Sequence, residues 1–205
     1  MDYILSVFIT IITVVDPFGL IPIYLSLAGK YSQKKQKYII FKAFFIAIFI
    51  ATLFLFFGKY FLYYLGIGFN SIYITGGVLL FMIGLDMIYA KPRRTKGSPE
   101  ENEEALGYDD ISVFPLAIPM LAGPGTIATI ILFSSKENSI ENYLLVFSAM
   151  LLALLLSAMT MYFSSYILKL LGKTGLNVID RLMGMILCSL AIQFIIDAFK
   201  NLGVI

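Results

Sequence analysis

Long apolar runs alternate with short polar stretches over the whole of this 205-residue chain. A run of about 20 apolar residues is long enough to cross the hydrocarbon core of a bilayer as a helix. The pattern predicts six such spans, whose limits are residues 3–28, 39–65, 69–89, 111–134, 143–170 and 178–199. We therefore expect an all-α transmembrane protein with six spans.

Composition supports this prediction and limits the catalytic and metal-binding groups that the chain could use. Hydrophobic residues make up 60% of the chain and charged residues 14%, which is more apolar surface than a soluble domain of this size can bury. The chain has no histidine and one cysteine, Cys188, so it lacks the commonest general base and any thiolate or imidazole metal cluster. We expect no catalytic residue, no metal, no cofactor and no enzyme. The net charge of +2 also predicts no nucleic-acid partner.

Lysines and arginines are divided unevenly between the two faces that six spans define. Twelve of the 15 fall on one face, in groups of five, four and three: Lys30, Lys34, Lys35, Lys37 and Lys42; Lys91, Arg93, Arg94 and Lys96; Lys169, Lys173 and Arg181. Basic residues are retained on the cytoplasmic side of a membrane. We therefore predict that this face, with the polar loop 91–110, is cytoplasmic and that both termini lie outside.

The loop 91–110 separates two sets of three spans. A shift of 107 positions aligns the two sets and pairs Gly68 with Gly175, Asn70 with Asn177, Gly77 with Gly184 and Pro17 with Pro124. Because three is an odd number, the second set must enter the membrane in the opposite direction. The sequence therefore predicts two inverted-topology three-helix repeats, 1–90 and 111–205, joined by the linker 91–110. Inverted repeats are typical of secondary transporters and also occur in channels.

Spans one and four are predicted to be discontinuous. Proline and glycine cluster near the middle of each span, at residues 16–22 and 115–125. Proline removes a backbone donor and clashes with the preceding turn, so several together unwind a helix. Lipid cannot satisfy the freed backbone groups, so each unwound stretch must face protein or a water-filled cavity. A single proline kink would be a packing feature, but paired interruptions in corresponding spans indicate a transport site.

Each break also starts a new half-helix. Asp16 is predicted to cap the first half-helix, with Pro17 at its first position, and Gly123 and Pro124 repeat the arrangement. Helix N-termini present unpaired N–H groups and a partial positive charge, which suit a substrate carboxylate. The predicted substrate-binding residues are Asp16, Pro17, Phe18, Gly19, Gly123, Pro124, Gly125 and Thr126.

Polar side chains near the breaks allow two interpretations each. Asp16 is either a helix cap or a group that meets a substrate ammonium or carries a coupling proton, because a mid-membrane carboxylate costs about 2.5–3.5 kcal/mol on insertion scales. Four threonines flank the breaks and could bind substrate or donate to carbonyls of their own helix: Thr10, Thr13, Thr126 and Thr129.

The two broken segments also carry a family resemblance. Residues 16–22 (DPFGLIP) and 115–129 (PLAIPMLAGPGTIAT) resemble the signature segments of the MarC family, which includes the small neutral amino acid transporters called SnatA. The resemblance covers essentially the whole chain. It implies an inner-membrane protein of a bacterium or archaeon that moves glycine, alanine and similar amino acids with an ion gradient.

The leading functional hypothesis is a secondary transporter for small neutral amino acids that works by alternating access, with H⁺ or Na⁺ as the candidate coupling ion. The alternative is a channel-like protein or a small-solute or ion exporter of the same fold. An intramembrane aspartyl enzyme would need Asp16 and Asp86 as partners, and Asp16 already has an explanation at its break. The sequence leaves open the exact substrate, the direction of transport and the oligomeric state.

Overall fold

The structure is a computed structural model and describes residues 2–89 and 110–204. Every regular element in these residues is helical. In chain order they are α1 (Asp2–Val15), α2 (Leu20–Ala28), α3 (Gln33–Tyr64), α4 (Phe69–Ile88), α5 (Ser112–Leu121), α6 (Pro124–Lys136), α7 (Ile140–Tyr162) and α8 (Ser164–Asn201). Apart from Asp110, the predicted linker 91–110 lies outside the described residues.

Four of these helices, α3, α4, α7 and α8, are long and apolar enough to cross a membrane individually. Two further pairs pass the same test together: α1 with α2, bent by 41°, and α5 with α6, bent by 50°. The described chain therefore has four clear spans, or six if each bent pair is one span. Both bends fall in the segments that are predicted to be discontinuous, and an all-α membrane protein is confirmed.

The fifth and sixth predicted spans have different limits in the structure. The fifth was expected to run to residue 170, but α7 ends at Tyr162 and α8 begins at Ser164. Within α8 the helix is interrupted at Gly172, which has φ 64° and ψ 175°. Only glycine adopts this conformation readily, so Gly172 separates a short segment at the membrane face from the long helix that follows it.

Helix α3 shows how the bundle faces protein on one side and lipid on the other. Small residues at a spacing of four, Ala43, Ala47 and Ala51, are fully buried and let α5, α6 and α7 pack closely. Large aromatic side chains such as Phe41 and Phe49 stay exposed on the opposite side, 63% and 69% respectively. That exposure is the normal state of a side chain in contact with lipid.

Helices α4 and α8 cross at two glycines, Gly77 and Gly184. A Cβ on Gly77 would lie 2.8 Å from the carbonyl oxygen of Ala191, and one on Gly184 would lie 2.7 Å from that of Gly84. These two contacts are equivalent, because the shift of 107 positions relates Gly77 to Gly184 and Gly84 to Ala191. The same shift relates Phe81 to Cys188, and Cys188 Sγ lies 3.7 Å from the carbonyl oxygen of Phe81. Two helices related by a two-fold axis make reciprocal contacts of this kind. The division of the whole chain into two repeats stays a prediction.

Candidate functional site

The first break follows the last turn of α1. The N–H of Asp16 donates to the carbonyl oxygen of Ile12 at 2.9 Å, and Asp16 has φ 51°, the left-handed conformation that commonly ends a helix. Aspartate tolerates this conformation better than most residues. Its side chain is almost fully buried, with 1% of its surface exposed. The break therefore holds a carboxyl group inside the bundle.

Asp16 does not occupy the capping position that the sequence suggested. Helix α2 begins at Leu20, its cap residue is Gly19, and the cap makes no side-chain hydrogen bond. The N–H of Leu20 donates to the carbonyl oxygen of Asp16 at 3.3 Å, so a turn separates the two helices. The prediction of Asp16 as N-cap with Pro17 at the first helical position is wrong, because Asp16 closes α1 instead of opening α2.

The second break has the predicted geometry at its centre. Gly123 is the extended cap residue of α6 and Pro124 occupies the first turn. In such a helix the N–H groups of Gly125 and Thr126 have no partner within the helix. Upstream, α5 has non-helical backbone at Phe114 and Ile118. Each of these precedes a proline, and proline forces the residue before it towards extended conformations.

The start of the second broken span is tied to α3. The Asp110 carboxylate accepts hydrogen bonds from Lys42 Nζ, from the Ser112 hydroxyl and, at 3.1 Å, from the Ser112 N–H. Partial burial alone would raise the pKa of Asp110, but the hydrogen bonds from Lys42 and Ser112 hold it below its ordinary value. Asp110 is therefore the charged carboxylate when it accepts the hydrogen bonds from Lys42 and Ser112.

A cavity of about 10 Å³ lies against the second break. Its lining residues come from three parts of the chain: Val14 of α1, Ile83 of α4, and Pro119, Met120, Gly123, Gly125 and Thr126 of the break. A Cβ on Gly125 would lie 2.7 Å from Ile83 Cδ1 and 3.1 Å from Val14 Cγ1. The cavity is about the size of one water molecule, so the site is closed to any amino acid in this conformation.

The predicted site residues are only partly brought together. Gly123, Gly125 and Thr126 line the cavity, whereas Pro124 is exposed on the surface of the bundle. Residues 16–19 do not line it, although Val14, two positions before Asp16, does. The first break therefore approaches the second through the last turn of α1.

Most threonines around the breaks donate hydrogen bonds to backbone carbonyls of their own helices. Thr10, Thr13 and Thr129 donate to carbonyl oxygens four residues earlier, at 2.7, 2.6 and 2.8 Å. This confirms the structural interpretation for these three residues. Thr160 of α7 had no signal in the sequence pattern, yet its hydroxyl lies 3.1 Å from the carbonyl oxygen of Pro17 and can satisfy backbone that the break has freed.

The far end of α6 is sealed by a polar and aromatic cluster. The side-chain amide of Asn142 donates to the carbonyl oxygens of Phe133 and Glu137 at 3.0 and 3.1 Å, and Tyr3 donates to Asn142 Oδ1 at 3.0 Å. The Phe133 ring packs edge-on against Tyr3 and Phe194. We call Tyr3, Phe133, Asn142 and Phe194 the sealed end.

The far end of α2 is flanked by a polar cleft of about 270 Å³ between α2, α3 and the junction of α7 with α8. We call it the polar cleft, and the residues that line it include Tyr24, Gln33, Gln36, Lys37, Tyr162, Ser165 and Tyr166. Lys37 Nζ lies 5.2 Å from the centre of the Tyr162 ring. The cleft therefore combines hydroxyl, amide and ammonium groups at the face that carries most of the basic residues.

These features define a helical integral membrane protein with two bent helix pairs that pack against each other inside the bundle. A family model described as "MarC family integral membrane protein" matches residues 1–202. The chain belongs to the MarC family.

Relatives of similar length support this membership. The chain is 34% identical over 195 residues to a UPF0056 membrane protein of Aquifex aeolicus, with 95% of this chain and 91% of the relative covered. It is 35% identical over 202 residues to the UPF0056 membrane protein YvbG of Bacillus subtilis, with 98% and 96% covered. A UPF0056 membrane protein of Methanocaldococcus jannaschii is 32% identical over 201 residues, with 98% of each covered. No solved structure matches the chain.

Proposed function

We propose that this protein is a secondary transporter that moves small neutral amino acids, of the glycine and alanine class, across the inner membrane. The observation that carries the proposal is that the two bent helix pairs pack against each other beside a small cavity at the second break, in a chain of the MarC family. Discontinuous helices of this kind form the substrate sites of many secondary transporters.

The two breaks offer complementary charges for an amino acid. The first turn of α6 supplies N–H groups at Gly125 and Thr126 together with the positive end of the helix dipole, which suit the substrate carboxylate. The first break supplies the buried Asp16 carboxyl, which suits the substrate ammonium or a coupling proton. Val14 and Ile83 close the space over Gly125, so only a small substrate side chain is compatible with the site.

The route to the site is proposed to run along α2. The polar cleft is lined by Tyr162 of α7, and Thr160, two residues earlier, contacts the first break; the sealed end lies at the end of α6. Alternating access would open the sealed end and close the polar cleft. The basic residues around the polar cleft favour a cytoplasmic position for it, with both termini outside.

Uptake by purified protein in liposomes tests the proposal. Labelled glycine or alanine is added outside the liposomes, which are given an inward H⁺ gradient, an inward Na⁺ gradient or neither. The same series is repeated with labelled leucine. We expect saturable accumulation of glycine or alanine with one of the two gradients, and little accumulation of leucine. Absence of transport of glycine and alanine in both directions would overturn the proposal.

Counterflow separates the transporter from the channel-like alternative. Liposomes preloaded with unlabelled alanine should transiently concentrate labelled alanine from outside without any ion gradient, because a carrier exchanges one bound substrate for another. A channel equilibrates the label without concentrating it. A linear, non-saturating flux without counterflow would therefore assign the protein to the channel class.

A further inference from the structure

A second cavity lies at the same end of α2 but on the other side of the helix. Its volume is about 520 Å³ and it is bounded by α2 and by α8 around the interruption at Gly172. Its walls are largely apolar and include Pro22, Leu25 and Leu176. Three polar side chains complete the lining, namely Ser26, Lys173 and Asn177, and we call this cavity the lipid-side groove.

The orientation of the groove follows from helix geometry. Pro22 and Ser26 are four residues apart and share one face of α2, whereas Tyr24, which lines the polar cleft, is about 200° around the helix from Pro22. Pro22 and Ser26 are exposed, while Tyr24 is buried. The groove therefore lies on the exposed face of α2, and the polar cleft lies on the opposite side of the helix, where most of its other lining residues are exposed as well.

The groove lies near the end of α2, beside the polar residues that follow this helix. Ser26 lies two residues before the end of α2, and Lys30 follows shortly after that end. Lys173 follows directly after Gly172, which turns the chain at this level and begins the long part of α8. Lys173 and Asn177 are four residues apart on α8, so their head groups project from one helix face above the apolar wall.

We propose that the lipid-side groove binds an anionic phospholipid, with an acyl chain along Pro22, Leu25 and Leu176 and the headgroup phosphate on Lys173 and Asn177. An apolar groove with a single cation at its mouth matches a molecule that has an apolar body and an anionic head. Basic pockets between transmembrane helices on the cytoplasmic side bind the headgroups of anionic lipids in this way. An amino acid lacks the apolar body that would fill such a groove.

The position of the lipid has a consequence for the transport cycle. The groove and the polar cleft flank the same short helix, α2, from opposite sides. A bound lipid would brace α2 on its bilayer side and stabilise the conformation in which the polar cleft is open. The lipid site itself does not depend on the proposed transport function, because its evidence is the shape and charge of the groove.

Binding to purified protein in neutral detergent tests the site. Native mass spectrometry titrations with phosphatidylglycerol, phosphatidylcholine and inorganic phosphate are compared for the unaltered protein, Lys173→Gln and Lys169→Gln. One basic residue near an anionic lipid contributes about fivefold in affinity, so Lys173→Gln should bind phosphatidylglycerol about fivefold more weakly. Lys169→Gln is the matched control, since Lys169 is an exposed lysine of α8 outside the groove, and should bind it normally.

Two further variants keep the test decisive. Lys173→Arg should retain affinity, which separates loss of charge from loss of folding, and Leu25→Trp should lower phosphatidylglycerol binding by filling the groove. Unchanged binding by Lys173→Gln would overturn the proposal, as would equal binding of phosphatidylcholine by the unaltered protein. Displacement of phosphatidylglycerol by inorganic phosphate at equal concentration would also overturn it, because the site would then recognise the anion alone.

Discussion

The two broken spans end very differently, although the sequence presents them as copies of one another. At the end of α6, residues 130–135 are all buried, and Asn142 satisfies two carbonyl groups beyond them. The corresponding end of α2 has a polar cleft on one side and the lipid-side groove on the other, and its residues Pro22 and Ser26 are exposed. One half-helix is sealed at its face of the membrane and the other is not.

This difference bears on the predicted inverted repeat and on the proposed transport function. Two copies of one unit that were packed identically at both ends would open both faces or neither. A small cavity beside the second break, a sealed end at α6 and an accessible end at α2 are what we expect of one state of the proposed alternating-access cycle.

Labelling of single cysteines gives an all-or-none test of which face each end occupies. On a Cys188→Ala background, cysteine replaces Asn138, beside the sealed end, or Lys34, beside the polar cleft; both residues are exposed. An impermeant thiol reagent added to intact cells should label the first and spare the second, because basic residues favour the cytoplasmic side. The reverse pattern would place the sealed end on the cytoplasmic side and the polar cleft outside.

Gly125→Val should abolish transport while the protein still assembles in the membrane. The added side chain would begin 2.7 Å from Ile83 Cδ1 in the small cavity where the substrate is proposed to bind. Initial rates in liposomes are compared with those of Gly68→Val. A Cβ on Gly68 meets nothing within 4 Å and its backbone is extended, so this control should transport normally. Transport by Gly125→Val at the control's rate would remove Gly125 from the site.

Asp16→Asn should lower transport at least about tenfold at unchanged expression. Hydrogen bonds to charged groups contribute about 1.5–3 kcal/mol, and 1.4 kcal/mol corresponds to a factor of ten. Asparagine also adopts the left-handed conformation that Asp16 has, so the backbone of the first break can be preserved while the charge is removed. Near-normal concentrative uptake by the variant would reduce Asp16 to a residue that ends α1.

The positions of the breaks could be predicted from the sequence because proline acts on the backbone locally. Gly123 and Pro124 form the helix start that their spacing indicates. Asp16 followed by Pro17 carries an equally good capping signal, but aspartate can also end a helix, and the local pattern does not distinguish these two roles. The pattern at residues 16 and 17 therefore predicts the break correctly, but it assigns Asp16 to the start of α2 when Asp16 follows the end of α1.

The residues that close the site could not be predicted, because their roles depend on tertiary packing. Ile83 belongs to a continuous apolar helix, and nothing in its neighbours sets it apart from a lipid-facing isoleucine. It meets Gly125 only because α4 packs against α6. Thr160 contacts Pro17 across 143 positions of sequence, for a similar reason. Long-range contacts of this kind leave no periodic signal.

Truncation of the side-chain amides at the two ends should show how differently the ends are held. Asn142 is buried and satisfies two carbonyl groups, so Asn142→Ala should lower the free energy of unfolding by about 1–3 kcal/mol. Gln36, beside the polar cleft, is half-buried and donates to one carbonyl, that of Tyr31. Gln36→Ala should cost less, and thermal unfolding in detergent measures both. Equal losses would mean that the two ends are held alike.

The smallest expected effect concerns the other end of the second broken span, where Asp110 is bound by Lys42 and Ser112. Because the pKa of Asp110 is lower in the folded protein, its stabilising contribution is fully present above the ordinary aspartate pKa, near 3.8. The contribution is lost as the pH falls through the lower, folded value. Both side chains of the Lys42 ion pair are more than a third exposed, so solvent screening keeps the effect small.

Asp110→Asn should therefore lower the melting temperature slightly at pH 7, by less than Asn142→Ala does, and the difference from the unaltered protein should shrink as the pH falls below about 4. Added salt should shrink it too, because the Lys42 pair is partly exposed. The first broken span has tyrosine, Tyr3, at the corresponding position, so this tether belongs to the second span alone. A difference in melting temperature that persists unchanged at low pH would show that Asp110 acts through packing and not through its charge.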